Sequence, residues 1–151
     1  MCFLKKLFGS SNSTGELPSP RVAIDRNDIE YDELVETLSI RRIKPPIWIT
    51  TVAGSNSMEP AIDIDHYCVC SSNPVYLSEN TIKPGDVIIY EASWNGGLVI
   101  HSVIETGNDE KGWFCKVQGW NNPTPDPQVI RIKDIKWVVL LIVWSGSEAE
   151  P

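Results

Sequence analysis

The segment Val52-Ala53-Gly54-Ser55-Asn56-Ser57-Met58-Glu59-Pro60 holds the densest set of residues able to do chemistry. An extended stretch ends at Gly54, and two serines two positions apart precede a Met-x-Pro turn. A serine projecting from a tight turn can act as a nucleophile while neighbouring backbone N–H groups converge on an oxyanion. Polar turns containing serine are also ordinary turn chemistry, so the segment by itself supports either reading. A second constellation is His66, Cys68 and Cys70, with Cys115 further along the chain. Alternation along a strand would put the first three on one face, and imidazole with thiolates suits zinc. Structural zinc sites, however, space their cysteines as C-x₂₋₄-C, and a flat strand converges its side chains poorly on a tetrahedron. Buried or half-buried thiols are the better expectation there. Neither a metal nor a cofactor is called for.

These groups need a scaffold. A chain of 151 residues favours one domain with a sizeable core. It carries 13 Lys+Arg against 20 Asp+Glu, a net charge of −7. Residues 1–45 sum to zero, with seven of each sign, so the whole excess lies in residues 46–151. A body of that sign repels phosphate backbones, and no nucleic-acid partner is expected. The longest unbroken apolar run, Trp137 to Trp144, is eight residues, where a membrane-spanning helix needs about 20. No export signal is visible, and reduced thiols are the default for four cysteines without a pairing pattern. A soluble, cytoplasmic chain is therefore expected. The stub at residues 1–8, with Phe3, Leu4, Leu7 and Phe8 beside Lys5 and Lys6, offers a peripheral membrane contact.

Residues 9–20, small and polar with two prolines and two glycines, read as a flexible linker, so residues 1–20 form a stub and tether. Residues 21–46 are expected to be a helical lead-in. Within it, Tyr31, Leu34, Val35 and Leu38 follow a 3.6-residue period, which predicts a helix over 28–39. Asn27 and Glu30 have capping-box spacing, Arg41 and Arg42 would face the helix C-terminus, and Pro45-Pro46 stops it. Over residues 47–145 the pattern becomes extended: Ile47–Val52, Tyr67–Cys70, Val87–Glu91, Leu98–Glu105, Gly112–Gln118 and Trp137–Trp144 are rich in β-branched and aromatic residues. Asn95-Gly96 marks a hairpin between the third and fourth of these. The fold class expected is mainly β, a small antiparallel barrel or sandwich with one N-terminal helix, followed by a disordered tail at 146–151.

Four boxes, in order, add to this reading. Gly54-Ser55-Asn56-Ser57-Met58-Glu59-Pro60 resembles the Ser-x-Ser-Met-x-Pro box of type I signal peptidases. Lys83-Pro84-Gly85-Asp86-Val87-Ile88-Ile89-Tyr90 resembles their Pro-Gly-Asp strand, and Val99-Ile100-His101-Ser102-Val103-Ile104 their histidine strand. Lys116-Val117-Gln118-Gly119-Trp120-Asn121-Asn122, with Asp126 beyond it, resembles the Lys-Gly-Asp-Asn-Asn … Asp loop of the archaeal and endoplasmic-reticulum branch, where histidine replaces the bacterial lysine. The resemblance runs from about residue 50 to 144 and implies a signal-peptidase type of barrel. It implies a serine endopeptidase with Ser57 as nucleophile, His101 as general base, Asp126 as the carboxylate orienting the imidazole, and Ser55 as an oxyanion donor beside the Ser57 N–H. Its substrates would be extended peptides or proteins with small side chains near the cut. Ile47-Trp48-Ile49 stands where the family approaches lipid, so an apolar rim is a further expectation.

Three departures accompany the match. Trp120 replaces the usual first aspartate of the loop, Ser102 replaces the arginine after the histidine, and the sequence shows no membrane anchor. The Trp120 departure favours an alternative, a catalytically weakened peptide-binding module of the same fold.

Overall fold

The computed structural model describes residue 24, residues 26–33 and residues 37–144. The stub and linker expected over 1–20 and the tail expected over 146–151 lie outside the described residues. Among these residues, eight strands form two sheets: β1 (Ile29–Asp32) and β2 (Thr37–Ile40) pair with each other, and six more build the body. Those are β3 (Ile47–Thr51), β4 (Tyr67–Ser71), β5 (Val87–Ala92), β6 (Gly97–Asp109), β7 (Gly112–Gln118) and β8 (Ile135–Val143). Their order across the sheet is β3-β4-β8-β5-β6-β7, antiparallel throughout.

The chain is thus mainly β, but two expectations need correction. The sheet does not close into a barrel or sandwich: β3 and β7 are its outermost strands, and among the described residues β3 pairs only with β4, while β7 pairs with β6 and adds a single bridge from Cys115 to Ile130. Closure requires the edge strands to meet at a particular tilt and stagger, whereas here each face is covered by a separate apolar cluster. The helix expected over 28–39 is replaced, in its described residues, by the β1–β2 ladder, with Ile29 opposite Ile40 and Asp32 opposite Thr37. Ile29-Glu30-Tyr31-Asp32 alternates apolar and polar residues, so it fits a strand as well as a piece of helix. All four residues of β1 are exposed, so no buried face enforces a helical period. The charges meant for a helix instead work across the ladder. Arg41 pairs with Glu30, and Arg42 Nε lies 3.0 Å from the Asp28 carboxylate.

Central strand β5 shows how the core is built. Ile88, Tyr90 and Ala92 enter one cluster with Val103, Cys115, Val117, Val138 and Leu140. Val87 and Ile89 enter the other, with Met58, Ile62, Cys68, Cys70 and Val139. Alternating side chains of one strand therefore feed both faces, which is why Val87–Tyr90 reads as a continuous apolar run. Trp48 packs on Trp137 with ring centroids 5.4 Å apart, against the second cluster, so it turns inward while Ile47 and Ile49 are exposed. Among the described residues, no helix is long and apolar enough to cross a membrane.

Cys68, Cys70 and Cys115 are buried free thiols. Burial pushes the Cys68 thiol up to about 11 and those of Cys70 and Cys115 up to about 12, with the neighbouring Cys68 adding to the effect on Cys70. An unfolded chain releases these protons at lower pH than the folded one. Their contribution to stability is therefore complete below about pH 8.5 and lost as pH rises towards 11–12. The midpoint of urea unfolding should fall steadily from pH 8 to pH 11; a midpoint constant over that range would contradict the burial of these thiols.

Candidate active site

Ser57 stands in the segment that leaves β3 and crosses the sheet face bearing the second cluster. Asn56, just before it, takes a left-handed backbone with φ of 60°, a conformation that asparagine tolerates better than most side chains. Met58, just after it, is buried in that cluster with Ile62, whose N–H donates to the Met58 carbonyl at 3.0 Å. The turn is pinned by one apolar side chain, which leaves the half-buried Ser57 facing the histidine.

His101 lies on β6 opposite Ile88 and is buried. Its Nε2 is 3.2 Å from Ser57 Oγ and its Nδ1 is 2.8 Å from Asp126 Oδ2. The His101 and Asp126 side chains are each 5% exposed, so water competes little for their contact. Asp126 comes from the connection between β7 and β8. Its backbone N–H donates to the Val117 carbonyl at 2.9 Å, and prolines on both sides restrict the chain. Ser55 is exposed, with Oγ 3.2 Å from Ser57 Oγ. All four residues singled out in the sequence therefore meet, from three separate stretches of chain.

Several participants were not singled out. The Asn121 N–H donates to the Ser57 carbonyl at 3.0 Å, and its side-chain amide donates to the Asn56 carbonyl at 3.0 Å. These two bonds clamp the serine turn to the loop after β7. Gly119 passes so close that a Cβ there would lie 2.4 Å from the Ser57 carbonyl oxygen and 2.9 Å from His101 Nε2. The signal for both lay in the Gly119-Trp120-Asn121-Asn122 box, but their partners in the serine turn are more than 60 residues earlier. Tyr90, buried on β5, donates its hydroxyl to Asp126 Oδ2. Burial first, and the Asp126 carboxylate second, hold that phenol far above its ordinary range, so it stays protonated.

The departures also find their places. Trp120 packs its side chain against the second cluster. Ser102 is fully buried, and among the described residues its hydroxyl has no hydrogen-bond partner; nothing in the structure explains the substitution. The zinc constellation does not assemble. Cys115 belongs to the opposite face from Cys68 and Cys70, and His66 Nδ1 accepts the Asp63 N–H at 3.0 Å. Among the described residues, no group of three His, Cys, Asp or Glu could hold a metal ion.

A cleft of about 430 Å³ opens onto Ser57 and His101. One wall is Trp48, Thr50 and Val52, and the other is Leu98, Val99 and Ile100. Among the described residues, β3 is a sheet edge and β6 pairs with β7 only from Ser102 onward, so Gly97–His101 has no strand partner on that side. The cleft is thus bounded by two stretches of extended backbone, each with a free side. No protein-family model matches the chain, and no curated protein or solved structure is significantly similar to it.

Proposed function

We propose that this protein is a serine endopeptidase resembling the type I signal peptidases of the Ser-His branch. The observation that carries the reading is the chain of contacts from Ser57 Oγ to His101 Nε2 and from His101 Nδ1 to Asp126 Oδ2. A serine hydroxyl is a weak nucleophile until a base takes its proton. His101 Nε2 receives that proton as Ser57 Oγ attacks the scissile carbonyl, and returns it to the departing amine. Asp126 holds the imidazole with its proton on Nδ1 and stabilises the imidazolium formed on attack. The Ser57 N–H and the Ser55 hydroxyl supply donors for the developing oxyanion. Water then attacks the acyl-serine by the same proton route.

Extended peptides suit the cleft, since a strand-like segment can hydrogen-bond to the free sides of β3 and β6 while alternate side chains enter the space between them. Small side chains near the cut follow from the resemblance. The test is turnover of signal-peptide-like substrates in detergent by wild type and Ser57→Ala. Cleavage by the wild type alone is expected. Equal turnover by both eliminates the enzyme reading, and saturable binding without any turnover selects the peptide-binding module that Trp120 suggested.

A further inference from the structure

We infer that Tyr90 is a positioning residue for the proposed peptidase, acting on His101 through Asp126, an inference that rests on the peptidase reading above. Tyr90 pairs with Val99, and Ile88 with His101, so Tyr90 and His101 project from the same face of the β5–β6 ladder. From there the Tyr90 hydroxyl reaches the same carboxylate oxygen, Oδ2 of Asp126, that contacts His101 Nδ1.

Donor and acceptor counting gives this contact a direction. The phenol carries a proton and the carboxylate has none to give, so the Tyr90 hydroxyl donates to Asp126. A carboxylate can only accept, so Oδ2 takes one proton bond from Tyr90 and one from His101 Nδ1. That leaves His101 Nε2 with a free lone pair facing Ser57 Oγ, the tautomer a general base requires. Tyr90 is fully buried on the central strand, and its hydroxyl cannot exchange this partner for water. Trp120 stands at the loop position where the resembling family carries a further aspartate, and its side chain packs into the apolar cluster. The phenol gives the remaining carboxylate a second anchor. The polar chain thus runs Tyr90, Asp126, His101, Ser57, from the buried central strand to the cleft.

The decisive variant is Tyr90→Phe, which keeps the ring in the core and removes only the hydroxyl. Losing an orienting hydrogen bond of this kind is expected to lower kcat by about 10–100-fold with KM changed less than about twofold. In an Asp126→Asn background the same change should have little further effect, because its route to His101 is already broken. A second readout needs no turnover. The downfield proton resonance of His101 Nδ1–H should shift in Tyr90→Phe, which leaves the ring in the core and removes the donor to Asp126. An unchanged kcat in Tyr90→Phe, beside an inactive Ser57→Ala, overturns the role of Tyr90 and leaves the peptidase standing. Equal turnover by wild type and Ser57→Ala overturns the peptidase itself. An unmoved resonance in Tyr90→Phe overturns the positioning contact whatever the activity.

Discussion

His101→Ala is expected to lower kcat for peptide cleavage by about 10⁴–10⁶-fold, to the level of Ser57→Ala. Nε2 lies 3.2 Å from Ser57 Oγ, within reach of its proton, and the imidazole is fixed from behind by Asp126 at 2.8 Å. Without the imidazole the serine keeps its proton and the leaving amine finds no donor, so both halves of the reaction lose their proton carrier. Residues that act as one unit are not additive, so the Ser57→Ala/His101→Ala double variant should be no slower than either single one. A fluorophosphonate probe gives an independent check. It should label Ser57 in the wild type, and labelling should slow in His101→Ala in step with kcat. Labelling at an undiminished rate would mean that the histidine does not activate the serine.

Gly119→Ala should come next in size, from a single added methyl group. The new Cβ would sit 2.4 Å from the Ser57 carbonyl oxygen, 2.9 Å from Asn122 Nδ2 and 2.9 Å from His101 Nε2. Relieving the first clash alone requires the serine backbone to move by roughly 1 Å, and a misplacement of that size costs on the order of 10²-fold in rate. The serine turn cannot yield freely, because Met58 is buried beneath it and Asn121 holds two of its carbonyls. The side chains of Asn122 and His101 would be crowded as well. Stability should fall too, by about 1–3 kcal/mol, as in other overpacked sites. The two effects separate experimentally: chemical denaturation gives the stability loss, and kcat measured on the folded fraction should still be down by two orders of magnitude. Full activity in a folded Gly119→Ala protein would show that the loop after β7 does not press on the serine turn.

Much of the framework was legible because it depends on residues close in sequence. The six extended segments of the body were found within a few residues, since β-branched runs bounded by Gly, Pro and Asn have few alternatives. Asn95-Gly96 does join β5 to β6, with Gly96 in the left-handed region at φ of 68°. The lead-in failed for the same reason that the body succeeded. Local pattern was all there was to read, and Ile29–Asp32 satisfies two periods at once. Pairing with Thr37–Ile40 and the cross-strand cations decided between them.

The residue types able to do this chemistry, and the strands that carry them, were written in the chain, because hydroxyl, imidazole and carboxylate are fixed by composition and strand formation by short-range pattern. Which of them meet was decided only by tertiary structure. Ser57, His101 and Asp126 lie on separate loops and strands, and β8 inserts between β4 and β5 although it is last in sequence. Tyr90 shows the limit most clearly. Alternation marks it as a core side chain, but its hydroxyl meets a carboxylate 36 residues away only because the β7–β8 connection folds back over the β5–β6 ladder. Contacts made at such separation depend on sheet order and loop path, and no local run of residues encodes either.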